Sequence, residues 1–279
     1  MRNATYESFG RFLEQPSLVE QPSREKATLR NPRFEFRLMG KDALGYPDKA
    51  DLEAVVCLSH NAPRIRRANL DTLPPDLRRA LYTEWFLGNP YTFGLLERFP
   101  ADENGNTIIG NTAILPLRRN TIQRVADGAL PVISLTDTDL CTKDDYEVLL
   151  LDTWVLHTDH QGKSSWLGKH KETHRGFGNG LVLRHVAEYW TPSSGKPLKL
   201  YAEADTVSMR STLIRLGFRE IGVTQIKMPF LVLNYPPEEP RTLNNVLQQQ
   251  SLHEAVRSLE AWREWCPITT PEATSSSTP

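Results

Sequence analysis

The sequence has few cysteines, no long hydrophobic run and almost no net charge. Its three cysteines, Cys57, Cys141 and Cys266, form no CxxC pair, so we expect reduced, structurally buried thiols in a cytoplasmic protein. There is no run of about 18 apolar residues and no apolar signal-peptide core near residue 1, so we expect neither a membrane-spanning helix nor a membrane partner. A net charge of −1 argues against general attraction to nucleic acid.

The chain has 279 residues, of which 39% are hydrophobic, and this is enough to bury a substantial core. Changes in composition predict four segments: an N-terminal arm (1–30), one main domain (31–236), a helical extension (237–266) and a disordered tail (267–279). Apolar residues recur at helical spacing within the extension. This apolar face packs either on its own domain or against a second copy in a homodimer.

Hydrophobic periodicity predicts a strand, two helices and an antiparallel hairpin in the first half of the main domain. In chain order these elements cover residues 34–38, 49–61, 76–87, 91–99 and 107–117. A long connection, residues 118–146, follows the hairpin. Loops of this length usually carry their own structure or a function, so the connection is either a packed surface insertion or a substrate lid.

The second half is predicted to continue as strand, glycine-rich loop, helix, strand, helix and one or two closing strands. These elements cover residues 148–156, 175–180, 181–190, 198–204, 208–216 and 219–233. Gly217 stands where a residue in the left-handed conformation commonly ends a helix.

Three glycines at alternate positions, Gly176, Gly178 and Gly180, stand directly before a predicted helix. Glycine lets the backbone approach a ligand closely, and a helix start presents unpaired N–H groups carrying about half a positive charge. This combination suits a diphosphate group. The dinucleotide fingerprint needs G-x-G-x-x-G directly after a strand, and a P-loop ends in Gly-Lys-Ser/Thr, so neither is present and an NAD-type domain is disfavoured.

The run does match the pattern R/Q-x-x-G-x-G/A, through Arg175, Gly178 and Gly180. Together with the Leu-Gly-Phe sequence at 216–218, it resembles the acyl-CoA pyrophosphate loop and a later helix end of the GNAT superfamily of acyltransferases. The resemblance covers roughly residues 33–235, with specific motifs only in the second half. It implies an α/β fold with a mixed, mostly antiparallel sheet of about seven strands, splayed at strands 4 and 5, with helices on both faces.

The resemblance also implies an acyl-CoA-dependent N-acyltransferase that transfers acetyl from acetyl-CoA directly to an amine of unidentified kind, without a metal. The end of the fourth strand would lie along the pantetheine arm and direct a backbone N–H at the thioester oxygen. The residues implied in acetyl-CoA binding are Trp154, Val155, Leu156, Arg175, Gly176, Phe177, Gly178, Asn179 and Gly180.

An acceptor amine is largely protonated at neutral pH, so a base close to it is useful. Asp152 is the first candidate, because it lies inside an otherwise apolar strand where an unpaired carboxylate is costly. By alternation along the strand it should point to the same side as Leu156; the alternative role is an ion pair with an arginine of the first helices. Glu203 is the second catalytic candidate, and Tyr201 and Glu97 are weaker ones.

The chain departs from the family pattern at two positions that bear on the chemistry. Leu213 stands where many relatives carry a proton-donating tyrosine, and Thr206 stands where they often carry asparagine. Either another group protonates the thiolate, or the thiolate leaves unassisted, or catalysis has been lost. The last possibility makes a non-catalytic regulatory protein that binds CoA or a nucleotide the alternative function.

In the family, the end of the fourth strand and the glycine motif lie almost at the same place in the sequence. Here residues 157–174 separate them as an insertion. An alternative alignment places the diphosphate at residues 161–165. The insertion contains four of the seven histidines, His157, His160, His170 and His174. Their spacing is a loose zinc pattern, and solvent-facing histidines or contacts to CoA phosphates explain them without a metal.

Overall fold

One mixed sheet organises the part of the chain that the computed structural model describes, which is residues 33–61, 73–101, 105, 107–156, 177–190, 195–204, 206–224 and 228–235. The strands in these ranges are β1 Arg33–Leu38, β2 Phe93–Phe99, β3 Ile108–Leu117, β4 Val148–Leu156, β5 Leu198–Glu203, β6 Arg219–Val223 and β7 Pro229–Tyr235. Their order in the sheet is β1-β2-β3-β4-β5-β7-β6. Neighbours are antiparallel except β4 and β5, which are parallel. The predicted fold class is confirmed.

The helices of the described ranges are α1 Lys49–Asn61, α2 Pro75–Gly88, α3 Arg119–Ala126, α4 Phe177–Tyr189 and α5 Val207–Arg215, with short 3-10 turns at Val132–Ser134 and Asp137–Asp139. None of these helices is long and apolar enough to span a membrane.

Helices cover both faces of the sheet, as predicted. Consecutive residues of a strand point to opposite faces, and the side chains of β4 divide accordingly. Leu150 packs in a core cluster with Val55 of α1 and Tyr82 of α2. Leu151 packs in a second cluster with Val182 of α4. We call these two sides of the sheet the α1/α2 face and the α4/α5 face.

Local signals set the boundaries of several helices. α2 begins at Pro75, where the missing N–H of proline is not needed in the first turn. α5 begins after Thr206, whose side-chain oxygen accepts a hydrogen bond from the backbone N–H of Met209 at 2.9 Å. Gly217, after the end of α5, has a φ of 95°, and the N–H of Phe218 donates to the carbonyl of Leu213 at 3.0 Å. The predicted left-handed glycine is confirmed.

The long connection between β3 and β4 is a packed insertion. Leu135 is fully buried, and its carbonyl accepts a hydrogen bond from Nε1 of Trp85 in α2 at 2.9 Å. The N–H of Cys141 donates to the carbonyl of Pro116 at 2.8 Å, at the end of β3 and the start of β4. The connection therefore packs at the opposite end of the sheet from the C-terminal end of β4, and the lid interpretation is wrong.

The two described thiols differ in environment. Cys141 is buried, as expected. Cys57 is exposed, so the expectation of burial is wrong there; it lies on the solvent side of α1, where its sulfur accepts a hydrogen bond from Nδ2 of Asn61 at 3.2 Å. The predicted arm, helical extension, tail and insertion lie outside the described residues, as does Cys266.

Candidate active site

β4 and β5 pair over a short stretch and then separate. The pairs of their parallel ladder are Leu149 with Leu200, Leu150 with Tyr201, and Leu151 with Ala202. β4 continues to Leu156 in register with β3, but its ladder with β5 has ended. The predicted splay is confirmed, and it separates the C-terminal ends of the two strands.

A β-bulge at Asp152 marks the point where the strands part. On β3, Ala113 pairs with Thr153 whereas the next residue, Ile114, pairs with Leu151, so Asp152 is the extra residue of the bulge. A bulge bends its strand and increases the local twist, which accounts for the departure of β4 from β5. The sequence did not predict the bulge, because a bulge is defined by the pairing with a neighbouring strand.

The bulge also changes the face that each later side chain occupies. Leu151 lies in the core cluster of the α4/α5 face, and Trp154 packs against the same cluster. The two residues are three positions apart, so in a regular strand they would point to opposite faces. Leu156 packs against a third cluster, which contains Leu181 of α4. The alternation from which Asp152 and Leu156 were predicted to share a side is therefore interrupted.

The two predicted catalytic carboxylates stand where the strands part. Asp152 follows the last paired residue of β4, and Glu203 follows Ala202, the last paired residue of β5. Burial alternates along β5, which places Glu203 on the same face as Tyr201, whose ring packs on Phe230 with 5.6 Å between centroids. Both carboxyl residues are half-buried. The sheet thus brings to one level two residues that lie far apart in sequence.

A neighbouring hydroxyl orients the first of these carboxylates. Thr153 is buried, and its Oγ1 donates a hydrogen bond to Oδ2 of Asp152 at 2.7 Å. This bond holds the carboxylate in one orientation beside the bulge.

Glu97, one of the weaker candidates, belongs to an ion-pair network. Arg37 of β1 donates to both carboxylate oxygens of Asp51 at 2.6 and 2.7 Å, and its Nη2 also donates to Oε1 of Glu97 at 2.8 Å. The network connects β1 and β2 to the first turn of α1. This structural role accounts for Glu97.

The glycine run forms the first turn of α4. The helix begins at Phe177, earlier than the predicted start at residue 181, so residues 177–180 supply its first N–H groups. The first four N–H groups of a helix have no acceptor within it and carry the positive end of the helix dipole. Arg175 and Gly176 lie outside the described residues. The first turn therefore has the backbone arrangement that favours an anion.

Packing places this first turn beside the end of β4. Leu181 of α4 belongs to a small core cluster against which Leu156 also packs. A Cβ atom added to Gly110 of β3 would lie 2.6 Å from Cδ2 of Leu156 and 3.4 Å from Cδ2 of Leu181, so glycine leaves room for both side chains. The predicted phosphate-binding turn and the predicted thioester-binding end of β4 are thus neighbours across the insertion.

A buried histidine that the sequence reasoning missed anchors α4 to the sheet. Nε2 of His185 donates to the carbonyl of Tyr91 at 2.8 Å, so Nδ1 accepts from the hydroxyl of Thr112 at 2.7 Å. Burial lowers the pKa of His185 to about 4, and the ring is neutral at neutral pH. Its position among apolar residues of α4 is the sequence signal for such a role.

Leu213, which stands where many relatives carry a tyrosine, has a packing role. Leu213 is fully buried in the core cluster of the α4/α5 face, together with Leu151 and Phe218. α5 contains no tyrosine, so no phenol acts as an acid from this helix.

The described ranges contain no group of three or more histidine, cysteine, aspartate or glutamate residues placed to bind a metal. The four histidines with the loose zinc pattern lie outside these ranges.

No protein-family model matches the chain, and no curated protein matches it in sequence. Its chain path is similar to those of PH1933 from Pyrococcus horikoshii OT3, the PaiA N-acetyltransferase from Thermoplasma acidophilum in complex with coenzyme A, and the loading GNATL domain of CurA from Lyngbya majuscula. Their TM-scores are 0.43, 0.41 and 0.45, and their identities are 12%, 14% and 14%. Each similarity covers 72% of this chain, and 97%, 99% and 96% of the respective other chain.

The strand order, the parallel pairing of β4 with β5 and the separation that follows it are features of the chain's own structure. Of these observations, the seven-stranded, mostly antiparallel sheet and the separation of β4 from β5 are what the sequence resemblance implied. The chain therefore has the fold class that the resemblance to the GNAT superfamily implied.

Proposed function

We propose that the protein is an acyl-CoA-dependent N-acyltransferase that transfers an acetyl group from acetyl-CoA directly to an amine. One observation carries this proposal: the glycine-containing first turn of α4 lies beside the end of β4, where β4 and β5 have parted. A diphosphate bound at this helix start would direct its pantetheine arm between the two strands. The homodimer through residues 237–266 stays a prediction.

The residues proposed to bind the donor fall into two groups. Backbone N–H groups of residues 175–180 bind the diphosphate, because a helix start combines unpaired donors with a positive dipole end. Trp154, Val155 and Leu156, which are all half-buried, lie along the pantetheine arm. A backbone N–H from this strand end donates to the thioester oxygen, where negative charge grows in the transition state.

In the proposed reaction, the acceptor ammonium first gives a proton to Asp152, with Glu203 as the second candidate base. The amine nitrogen then forms a bond to the thioester carbonyl carbon, and the C–S bond breaks as the tetrahedral intermediate collapses. The nitrogen loses a second proton, and the thiolate ends as a thiol. An ammonium ion and acetyl-CoA thus yield an amide, CoA and one proton.

The proton for the departing thiolate does not come from a tyrosine of α5, since Leu213 occupies that position. A thiol has a pKa of about 8.5, so a thiolate is a far better leaving group than an alkoxide and can depart unassisted. Alternatively, the acid formed when Asp152 or Glu203 takes the first proton returns it to sulfur.

The test combines donor binding with release of free thiol. Wild-type protein should bind acetyl-CoA in calorimetry and release CoA thiol only when an accepted amine from a panel is present. Gly178→Asp places a carboxylate against the phosphates and should weaken CoA binding by about tenfold or more, which corresponds to about 1.4 kcal/mol. Affinity for pantetheine, which has no diphosphate, should not change.

Gly222→Asp is the matched control, because it adds the same charge in exposed strand β6, where an added Cβ has nothing within 4 Å. An aspartate in the first turn of α4 does not oppose helix formation, since a negative charge there interacts favourably with the helix dipole. Equal CoA affinity in wild type and Gly178→Asp would show that the diphosphate binds elsewhere.

The buried Leu213 supports a second candidate function, a CoA-binding protein that has lost turnover. Such a protein binds acetyl-CoA with the same dependence on Gly178 but releases no thiol with any amine. A larger thermal shift with NAD than with CoA would contradict both functions.

A further inference from the structure

Arg78 of α2 is a buried cation without a counter-ion in the described chain. Its residue exposure is 4%, and its Nη1 donates to the phenolic oxygen of Tyr82 at 3.2 Å. Among the described residues, no carboxylate lies within ion-pair distance of Arg78, and its Nε has no hydrogen-bond partner. Arginine stays protonated in proteins, and a buried charge is costly unless it is paired.

Asn111 of β3 is a second buried polar group with unmet hydrogen bonds. Its side chain is fully buried, and neither Oδ1 nor Nδ2 has a partner in the described part of the chain. Its neighbour Thr112 bonds His185 on the α4/α5 face, whereas Ala113 packs in the core of the α1/α2 face. Alternation therefore places the Asn111 side chain on the α1/α2 face, the same face as Arg78.

Two contacts fix the direction and level of α2 over the sheet. Its C-terminal end lies at the level of the end of β3, because Nδ2 of Asn89 donates to the carbonyl of Cys141 at 2.7 Å and the N–H of Cys141 donates to the carbonyl of Pro116 at 2.8 Å. The ring of Tyr82 lies 5.0 Å from that of Phe93, which pairs with Ala113. Arg78 lies four residues, about 6 Å along the helix axis, before Tyr82 and so nearer the splayed end of the sheet.

Asn111 also lies nearer the splayed end of the sheet than the level at which Phe93 pairs with Ala113. It lies two residues, roughly 6.8 Å, before Ala113, and Ala113 pairs with Thr153 next to Asp152. Arg78 and Asn111 therefore lie at one level of the α1/α2 face, just beyond the bulge. Buried polar groups are hydrogen-bonded in the great majority of cases, so two that are not, at one level, indicate a missing ligand.

We propose that Arg78 and Asn111 bind a carboxylate of the acceptor, so that the acceptor is an amine that also carries a carboxylate, as an amino acid does. This inference rests on the proposed function and names its substrate class. The guanidinium pairs with the carboxylate, and Nδ2 of Asn111 donates to the same group. The amine of the acceptor then points toward Asp152. The level of Asp152 lies about two strand residues from that of Asn111, a distance that a short amino acid and its hydrogen bonds span.

The experiment compares matched acceptor pairs that differ only in a carboxylate: β-alanine against ethylamine, and phenylalanine against phenethylamine. Thiol release gives kcat and KM for each, and calorimetry in the presence of CoA gives the dissociation constant without turnover. We expect wild type to prefer the carboxylated member, and Arg78→Met to raise KM for that member by about tenfold to hundredfold while changing the other less than about threefold. The KM of Arg78→Lys for the carboxylated member should lie between those of wild type and Arg78→Met.

Arg79→Gln is the control, because Arg79 is the next residue of α2, is partly exposed, and already pairs with Glu53 of α1 and with Asp76. It should leave the preference unchanged. Asn111→Leu should weaken the carboxylated member selectively, without loss of acetyl-CoA binding. Arg78→Met without ligand should melt at the wild-type temperature or above it, because an unpaired buried charge has been removed.

Equal kcat/KM within each pair, or equal losses for both members in Arg78→Met, would overturn the inference and leave the acyltransferase proposal standing. A lower melting temperature of Arg78→Met with unchanged preference would assign Arg78 a purely structural role. If no amine is acetylated but β-alanine still binds with CoA in an Arg78-dependent way, the proposed function fails and the carboxylate site stands.

Discussion

Asp152 is the residue on which the proposed chemistry depends most. It is the extra residue of the β4 bulge, and the hydroxyl of Thr153 holds its carboxylate. The sequence singled it out because a carboxylate within an apolar strand needs a partner or a function. Its position at the splay became apparent only from the pairing with β3 and β5.

Asp152→Asn should lower kcat by about a hundredfold, since an amide cannot accept the proton of the acceptor ammonium. Affinity for acetyl-CoA should stay at the wild-type value, because Asp152 is not part of the diphosphate turn. Thiol release across a pH series and calorimetry measure the two quantities. Asp144→Asn, in an exposed position before β4, is the control. A variant as fast as wild type at every pH would remove Asp152 from the mechanism.

At the scale of elements, the ends of helices follow local chemistry and the shape of strands does not. Thr206 and Gly217 bound α5, and both are visible in the sequence. The bulge in β4 is not visible, because residues 148–156 read as one continuous apolar strand and only the ladder with β3 shows the extra residue. The start of α4 at Phe177 was also not predicted, because glycines are poor helix formers and residues 175–180 therefore predict a loop.

Gly217→Ala should lower the free energy of unfolding by about 1 kcal/mol or more, because a side chain is strained at a φ of 95°. Urea denaturation measures this loss, with an unchanged m-value. Gly222→Ala is the matched control: its φ lies outside the strained range and its added Cβ meets nothing within 4 Å, so the change should stay within about 0.5 kcal/mol. Equal losses in the two variants would contradict the assigned helix end.

At the scale of the whole molecule, His185 connects α4, β3 and the segment before β2 through two hydrogen bonds. Because these elements belong to one sheet and its packed helices, protonation of this ring should be coupled to global unfolding. Burial keeps the folded-state pKa at about 4, whereas the ordinary value is 6.5. Between these values the unfolded chain binds a proton that the folded chain excludes.

Stability should therefore fall as the pH falls from about 6.5 to about 4, by roughly 3 kcal/mol over the whole window. His185→Asn should flatten this part of the pH dependence, measured by urea unfolding at a series of pH values. His60→Asn, in an exposed position on the last turn of α1, should retain it. An unchanged slope in His185→Asn would show that another group titrates.

The sequence by itself determined the order and type of the elements, most of their boundaries, the glycine turn and the carboxylate candidates. These depend on residues that are close in the chain: alternation, helical spacing, caps and glycine conformations. Only the tertiary structure decided the bulge at Asp152, the residues at which the ladder between β4 and β5 ends, the packing of Leu156 against the cluster that contains Leu181, and the burial of Arg78, Asn111 and His185. Each of these depends on which strand or helix lies next to the residue, and pairing and packing between distant segments leave little trace in local sequence.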